Sequence, residues 1–273
     1  MEVEKEIQRE YNPAHPNYER WQKARDLSYY RANFVEYILS NELIPEGLKI
    51  LDVGAGEGST SKLLSQKNFV VSVEPKAERI KKISKSNSLQ PVIADSLKLP
   101  LKPGSFSLII LQDVIEHLNI NKELIDDLTS LLKNDGFIYL STPNKFSLLN
   151  IISDPHWGIP FLSLFKRNQV KKYFLNFFRK SDYTRDDIAE LLSLNQLYDL
   201  FSKKYSFKIF TKFSLEYLLN GGQGLVWSKI HLRLVKMINL LDLKKLLISI
   251  ANDKPGIINK YFTPTFYIIL KKK

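Results

Sequence analysis

The sequence predicts an α/β fold in which helices cover both faces of a doubly wound sheet. Short apolar runs alternate with helix-compatible segments from residue 49 onward, and this alternation is typical of βαβ units. One of the runs, residues 106–111, is apolar at nearly every position, as expected of a parallel strand that is buried on both faces. Together these observations predict a doubly wound sheet.

The first half of the chain contains the clearest strands and helices. The first predicted strand, residues 49–53, ends in glycines and leads through a tight turn into a helix over residues 58–66. The elements that follow are strands at 69–73, 91–94, 106–111 and 137–141, and helices at 76–86 and 123–132. The segment Asn134 to Gly136 ends the last of these helices.

The regular alternation ends after Asn144. We predict an N-terminal helical cap at residues 1–48 and one domain over residues 49–273. Two helical insertions interrupt this domain, at about 145–181 and 214–262. The remaining predicted elements are a helix at 186–201 and strands at 206–213 and 265–270.

Composition and charge limit the classes of function. The chain has no cysteine, which excludes disulfides, thiolate metal sites and a cysteine nucleophile. The formal net charge is +11, and all of the excess positive charge falls after residue 143. This asymmetry predicts an anionic partner for the second half, such as phosphate, nucleic acid or a membrane surface. The alternative is a lysine-rich surface that serves solubility alone.

The chain shows no sign of a membrane span or a secretory signal. No apolar run reaches the roughly 18 residues of a membrane-spanning helix. The N-terminal residues are rich in glutamate and have no apolar stretch behind them, unlike a secretory signal. A cytoplasmic location is therefore the expectation.

A glycine-rich loop follows the first predicted strand. It contains Gly54, Ala55, Gly56 and Gly58, and the candidate Asp52 lies just before it, near the end of the strand. Glycine has no Cβ, so the backbone can approach a ligand closely, and the next helix presents free N–H groups to polar ligand atoms. A dinucleotide fingerprint would require a further glycine at the position of Ser59, which disfavours a nicotinamide cofactor.

Polar side chains end the next strands and complete a candidate nucleoside site. Glu74 ends the second strand, where a carboxylate can accept hydrogen bonds from both hydroxyls of a ribose. Asp95 and its neighbour Ser96 follow the third strand, where Asp95 can accept a hydrogen bond from an adenine amino group. Gln112 follows the fourth strand and is a further candidate contact.

In their order and spacing these motifs resemble the class I S-adenosylmethionine-dependent methyltransferases, over about residues 49–144. The resemblance implies that the cofactor is S-adenosyl-L-methionine and that the sheet has seven mostly parallel strands, with residues 265–270 as the antiparallel one. It places Gly54, Gly56 and Gly58 beside the methionine part, Glu74 at the ribose and Asp95 at the adenine. The segment 111–118 is most similar to the branch that methylates small molecules.

His117 and Asp113 are the candidate catalytic residues because both follow the fourth strand, at the edge of the sheet where ligands bind. One interpretation makes His117 a general base, and another makes it a structural hydrogen-bonding residue. A third interpretation is a metal site formed by Asp113, Glu116 and His117. This set resembles the ExxEH segment that holds a divalent metal in some quinone-pathway and small-RNA methyltransferases, although Asp113 is one methylene shorter than Glu.

Four residues are candidates for contact with the methyl acceptor. Asn144 follows the fifth strand on the acceptor side, and His156 and Trp157 combine a base with an aromatic ring in the first insertion. A rigid loop corner is the alternative interpretation of this last segment. Tyr29 belongs to an aromatic group in the N-terminal cap that can cover a site.

The basic second half contains two amphipathic segments, residues 161–178 and 229–244. Our hypothesis is a hydrophobic, lipid-linked or glycan-linked acceptor, with peripheral contact to an anionic membrane. The alternative is that the segments pack on the domain or form a dimer, and the oligomeric state is open. An RNA methyltransferase is a competing interpretation, disfavoured because no RNA-binding module is recognisable. A third interpretation is a protein that binds the cofactor without catalytic activity.

Overall fold

A seven-stranded sheet organises the chain. The computed structural model describes residues 11–94, 101–185, 187–226 and 229–273. The strands are β1 (Lys49–Val53), β2 (Phe69–Glu74), β3 (Leu89–Ile93), β4 (Phe106–Gln112), β5 (Leu132–Pro143), β6 (Tyr205–Ile209) and β7 (Thr265–Lys272). They lie in the order β3-β2-β1-β4-β5-β7-β6. Strands β1 to β5 pair in parallel, and β7 runs antiparallel to both β5 and β6, which confirms the predicted fold class.

Helices connect the strands and fill the regions outside the sheet. The α-helices are α1 (Tyr18–Asp26), α2 (Ser28–Leu39), α3 (Ser59–Leu64), α4 (Ala77–Ile80), α5 (Lys122–Leu131), α6 (Leu148–Ile152), α7 (Arg167–Gln169), α8 (Asn176–Phe178), α9 (Leu194–Phe201), α10 (Thr211–Leu219), α11 (Lys229–Leu240), α12 (Lys244–Ile250) and α13 (Ile257–Tyr261). A π-helical segment, Val170–Leu175, joins α7 to α8, and short 3₁₀ turns lie at Ile115–His117, Leu162–Leu164 and Lys180–Asp182.

Two hydrophobic clusters cover the two faces of the sheet because successive residues of a strand point to opposite faces. Along β1, Ile50 belongs to one cluster and Leu51 to the other. The Leu51 cluster includes helices α5 and α9, and the Ile50 cluster includes α2, α3 and α4. The sheet is therefore buried on both sides, as the apolar strands predicted.

The N-terminal helix α2 is part of this core. Its Phe34, Val35, Ile38 and Leu39 are buried in the same cluster as Ile50 of β1. The preceding helix α1 contains no buried residue, and it lies over the carboxyl ends of the strands, where it lines two cavities. The N-terminal segment thus both completes the core and covers the candidate site.

Several predicted elements differ from the structure. The helix expected at 76–86 spans only Ala77–Ile80. The segment Asn134 to Gly136, expected to end a helix, lies within β5, and that helix ends at Leu131. The helix expected at 186–201 begins only at Leu194, where the Ser193 hydroxyl and the Gln196 side chain form a reciprocal capping box. The residues before it run without helical structure and bury Ile188. The strand expected at 206–213 ends at Ile209, because the chain turns into helix α10 at Thr211.

Helices form both regions outside the regular alternation. Helices α6 to α8 lie between β5 and α9, and helices α10 to α13 lie between β6 and β7. Within the described ranges, no helix is long and apolar enough to cross a membrane.

Candidate active site

Two cavities adjoin at the carboxyl ends of the parallel strands. The first, called the loop cavity, measures about 230 Å³ and is lined by Gly54 to Thr60 together with residues of α1. The second, called the histidine cavity, measures about 210 Å³ and is lined by His117 and His156, among others. Trp21, Ala24, Arg31 and Gln112 line both cavities. Ligands bound in the two cavities would therefore meet.

The three glycines of the loop serve different purposes. All three have positive φ angles, 67° at Gly54, 57° at Gly56 and 79° at Gly58, which favour glycine. A Cβ at Gly54 would lie 2.5 Å from Val114, and one at Gly58 would lie 2.5 Å from Ile83. Close packing against Val114 and Ile83 thus favours glycine at these two positions. All three glycines line the loop cavity, and their contact with a ligand stays a prediction. A Cβ at Gly56 would meet nothing within 4 Å.

Asp52 lies on the wall of the loop cavity and is almost completely buried. Its carboxylate accepts a hydrogen bond from the hydroxyl of Ser61, which in turn accepts one from Ser72. Burial raises the pKa of Asp52 to about 7; the Ser61 hydrogen bond opposes this shift and the charge of Glu74 adds to it. Asp52 thus anchors the start of helix α3 to the end of β1.

Glu74 lies beneath the glycine loop. One carboxylate oxygen accepts a hydrogen bond from the backbone N–H of Gly56 at 3.0 Å, and the other accepts one from Lys76 at 3.1 Å. The residues described as lining the loop cavity do not include Glu74. Its contact with a ribose remains a prediction, and its observed role is to hold the loop at Gly56.

Side chains that the sequence did not single out complete the loop cavity. Thr60 donates a hydrogen bond to the side-chain oxygen of Gln112 at 2.6 Å. The remaining lining residues from outside the loop include Trp21, Ala24, Arg25 and Ser28 on the N-terminal helices and Arg79 in α4. The predicted contacts Asp95 and Ser96 lie outside the described residues.

Tyr29 of helix α2, a predicted contact of the methyl acceptor, lies on the surface. The Tyr29 side chain is 62% exposed and packs edge to face on Tyr30. It is not among the residues that line either cavity. Two positions further along the helix, Arg31 faces both cavities instead, because residues two apart do not share a helical face. The lining of neither cavity supports the predicted acceptor contact of Tyr29, whereas Arg31 is part of both linings.

His117 presents one unprotonated nitrogen. Its Nδ1 lies 2.7 Å from the backbone carbonyl oxygen of Asp187. Because a carbonyl oxygen can only accept, Nδ1 carries the proton and Nε2 keeps its lone pair. Burial lowers the pKa of His117, although the charge of Asp187 acts in the opposite direction. The residue lines the histidine cavity, so a neutral imidazole base is available there.

Glu116 and His156 lie next to His117. The Glu116 carboxyl is fully buried; one oxygen accepts a hydrogen bond from Thr142, and Oε1 finds no partner among the described residues. Burial raises the pKa of Glu116 to about 8, and the nearby charge of Asp113 adds to the shift. His156 Nε2 lies 3.9 Å from that free oxygen. Burial also lowers the pKa of His156 to about 3.

The donor set fits a divalent metal, with a composition different from the expected one. One ligand atom each of Glu116, His117 and His156 lie within 4.8 Å of one another. Two imidazole nitrogens and a carboxylate oxygen suit a first-row transition metal. Asp113 is not part of this set: its carboxylate accepts a hydrogen bond from Ser141 and pairs with Arg31. The predicted metal role of Asp113 is therefore corrected in favour of His156.

Asp113 occupies a strained position at the end of β4. Its φ angle is 55°, in the left-handed region that few non-glycine residues adopt. Its pairing with Arg31 of α2 and with Ser141 of β5 holds it there. Asp113 lines the histidine cavity, and it connects the N-terminal helices to the sheet at that point.

His156 and Trp157 are held in a well-defined loop. The carboxylate of Asp154 accepts hydrogen bonds from both of their backbone N–H groups, each at 2.8 Å. Both side chains line the histidine cavity, and Trp157 packs edge to face on Phe174. The sequence left two interpretations of this segment, a rigid loop corner and a contact with the acceptor. The structure shows a rigid loop corner whose side chains line the histidine cavity.

Asn144 does not reach either cavity. Its side chain is 0% exposed, and its amide group donates to the backbone carbonyls of Asn259, Lys260 and Thr263. Its side-chain oxygen accepts a hydrogen bond from the N–H of Phe146. Because these bonds occupy the amide, the predicted acceptor contact is corrected to a structural role.

The charged residues Arg20, Arg185 and Asp187 are part of the lining of the histidine cavity. Arg20 donates to the carbonyl oxygens of Asp154 and Pro155. Arg185 donates to Asp187 at 2.7 Å, and Lys76 lies 3.3 Å from the same carboxylate. Although partial burial acts in the opposite direction, the charges of Arg185 and Lys76 hold the pKa of Asp187 below the usual range. This network fixes the segment whose carbonyl orients His117.

Comparison with known proteins links this site to a family. Residues 22–202, more than half of the chain, match a family described as "Methyltransferase domain". The "Ubiquinone biosynthesis O-methyltransferase" of Xanthomonas campestris pv. campestris (strain B100) is 26% identical over 118 residues, which cover 41% of this chain and 49% of that protein. The mitochondrial protein of the same name from Rattus norvegicus is 31% identical over 116 residues, covering 39% and 34%. The chain thus spans about half, or less, of the length of these relatives.

A solved structure shows the same fold along nearly the whole chain. It is a "SAM-dependent methyltransferase, possible histamine N-methyltransferase" from Thermotoga maritima, which covers 94% of this chain and 95% of its own. The sequence identity is 17% and the TM-score is 0.53. The similarity therefore extends to the helical insertions as well as to the sheet.

Proposed function

This chain belongs to the class I, S-adenosylmethionine-dependent methyltransferase domains, and from that membership we propose that it methylates a hydroxyl group of a small-molecule acceptor. S-adenosylmethionine is the methyl donor of the family. Two of the relatives carry names that specify O-methyl transfer in ubiquinone biosynthesis. The hydroxyl is our inference from the neutral base in the histidine cavity, and a hydrophobic or lipid-linked character of the acceptor is the finer form of the proposal.

The loop cavity is the proposed cofactor site. S-adenosylmethionine, when bound, supplies a reactive methyl group on a sulfonium that departs as a neutral sulfide. The chain's own part is to position the reactants, and well-oriented reactants contribute up to about 7 to 11 kcal/mol in ideal cases. Gln112, Arg31 and Trp21 line both cavities, so the same side chains would contact the donor and the acceptor.

The observation that carries the proposal is the free Nε2 of His117. Because Asp187 holds the proton on Nδ1, Nε2 can accept the proton of a hydroxyl group as the methyl group arrives. Such a base contributes roughly 10² to 10⁴-fold to a rate. Burial keeps the imidazole neutral at pH 7, which is the form this role requires.

A divalent metal is a second role for the same residues, favoured by the unpartnered Oε1 of Glu116. A bound ion would occupy His117 Nε2, so the two roles exclude each other. An ion held by Glu116, His117 and His156 would lower the pKa of an acceptor hydroxyl directly. Dialysis against EDTA separates the roles: activity that survives it favours the free base, and activity restored by Mn²⁺ favours the metal.

An RNA acceptor and peripheral membrane contact remain alternatives to be tested. The histidine cavity, at about 210 Å³, suits a small polar head better than a polynucleotide, and binding to RNA would fall steeply with added salt. Exposed aromatic side chains at Phe161, Phe177 and Phe178 are the residues that would meet a membrane. A non-catalytic binding protein would bind the cofactor without turnover, and a cytoplasmic location stays a prediction.

The first test is calorimetric titration of S-adenosylhomocysteine into the wild type and Gly56→Ala. A Cβ at Gly56 points into open space beside the loop cavity, so we expect at least a tenfold loss of affinity. Gly47→Ala is the matched control, because Gly47 has a φ angle of 68° and equally open surroundings away from the cavity. Equal affinity in both variants, or no binding by folded wild type, would contradict the proposed cofactor site.

A further inference from the structure

The second insertion encloses an aliphatic cavity of about 800 Å³, for which the proposed chemistry has no use. Helices α10, α11 and α12 supply nearly half of its lining residues, and α6 of the first insertion and the start of β7 supply others. The lining side chains include Leu215, Leu218, Leu234, Val235, Ile238 and Leu247. A cavity of this size falls within the range of about 300 to 1,000 Å³ that ligand sites occupy.

The aliphatic cavity adjoins the histidine cavity. Leu225, Thr265 and Tyr267 line both. The two cavities therefore adjoin at these three residues. A ligand that spans them would place a polar group beside His117 and an apolar part among the insertion helices.

His231 adds a polar side chain to this apolar lining. Its buried Nε2 finds no hydrogen-bond partner among the described residues. Burial lowers the pKa of His231, and the charge of Arg20 adds to this shift. A buried polar atom without a partner costs free energy, and a polar ligand atom beside His231 would remove that cost.

We propose that the methyl acceptor is an amphiphile whose hydrocarbon tail lies in the aliphatic cavity while its hydroxylated head lies in the histidine cavity. This inference rests on the proposed function of the histidine cavity. Each methylene that the cavity buries strengthens binding about fourfold. The lining therefore selects for tail length, whereas the histidine cavity selects for the head.

The test compares two probes with the same head, propyl gallate and octyl gallate. Each is titrated into the wild-type protein with and without S-adenosylhomocysteine, below the concentration at which octyl gallate forms micelles. We expect octyl gallate to bind at least tenfold more tightly. Val235→Trp fills the aliphatic cavity and should reduce the affinity for octyl gallate to that for propyl gallate. Leu232→Trp is the matched control, since Leu232 lies on the same helix, is 40% exposed and is outside the lining.

Several results would overturn the inference. Equal affinity of the wild type for the two esters, or binding of neither, would do so without any variant. A preference for octyl gallate that Val235→Trp retains would place the tail elsewhere. If Val235→Trp dissociates a dimer, or loses binding to phosphatidylglycerol vesicles, while the preference for octyl gallate stays intact, the inference fails. The apolar lining around Val235 would then serve contact with a second copy or with a membrane. Absence of S-adenosylhomocysteine binding by the folded wild type, with the preference for octyl gallate intact, would contradict the proposed function. The amphiphile site would then stand, but its ligand would no longer be a methyl acceptor.

Discussion

At the scale of single residues, a backbone carbonyl determines the chemistry of the histidine cavity. The carbonyl of Asp187 accepts a hydrogen bond from His117 Nδ1 and leaves Nε2 free to accept a proton. The Asp187 carboxylate, paired with Arg185 and Lys76, holds that carbonyl in place. His117 thus depends on a residue 70 positions away in the sequence.

Replacing His117 by Asn distinguishes the roles of its two ring nitrogens. The Asn amide can still donate to the Asp187 carbonyl, but it has no equivalent of Nε2. We expect the turnover rate to fall by about 10² to 10⁴-fold, with S-adenosylhomocysteine affinity unchanged. Methyl transfer from labelled donor and calorimetry measure the two quantities. A variant that keeps full turnover would show that the imidazole is structural.

Asp52 makes folding stability depend on pH. Burial raises its pKa to about 7, whereas an unfolded Asp has a pKa of about 3.9. Its full contribution to stability is present below the unfolded value and is lost as the pH rises through the folded value. Between the two, the loss is about 1.4 kcal/mol per pH unit at most.

Asp52→Asn removes this titration. Relative to the wild type, the variant should gain stability as the pH rises from about 4 to about 7 and gain no more above that range. Urea unfolding without cofactor at pH 5, 6, 7 and 8 gives the free energies of unfolding. A difference between the two proteins that does not change with pH would contradict the assignment.

At the scale of elements, helices and loops distant in sequence form the walls of the site. Helix α1 covers both cavities with Trp21 and Ala24, and the loop of the first insertion adds His156 and Trp157. The end of β4 brings Asp113 against Arg31 of α2. The sheet therefore supplies the chemistry, while the N-terminal helices and the insertion enclose it.

Asn144 joins the end of β5 to the segment around α13. Its amide donates to three backbone carbonyls, those of Asn259, Lys260 and Thr263. Asn144→Ala leaves these carbonyls without that donor, and we expect it to lower the free energy of unfolding by about 3 kcal/mol. Asn41→Ala, whose side chain makes one exposed hydrogen bond, should change it by less than about 0.5 kcal/mol. Similar effects of the two substitutions would contradict the structural role.

At the scale of the whole molecule, the two halves of the chain contribute different parts of the candidate site. The catalytic candidates Asp113 and His117 lie in the near-neutral first half, and the insertions that wall the acceptor side lie in the basic second half. The sheet joins the two halves, because β7 pairs with β5 and closes the core. A change in the insertions can thus alter the acceptor without altering the cofactor loop.

Features that depend on neighbouring residues were predictable from the sequence, whereas features that depend on contacts between distant residues were not. The seven strands were predictable because apolar runs encode them within a few residues. The glycine loop was predictable as a ligand site, but the clashes that require Gly54 and Gly58 come from Val114 and Ile83, which lie far along the chain. Tyr29 was chosen for its aromatic ring, whereas the angle of helix α2 decided that Arg31 faces the site.

The sequence by itself determined the fold class, the cofactor and the segment that carries His117, because periodicity and short motifs are properties of neighbouring residues. Only the tertiary structure decided that the Asp187 carbonyl orients His117, that His156 lies with Glu116 and His117 while Asp113 pairs with Arg31, and that an aliphatic cavity adjoins the histidine cavity. These contacts join residues that are distant in sequence and that packing brings together. Because the hydrophobic burial that drives packing is non-directional, the sequence pattern does not specify which distant residues meet.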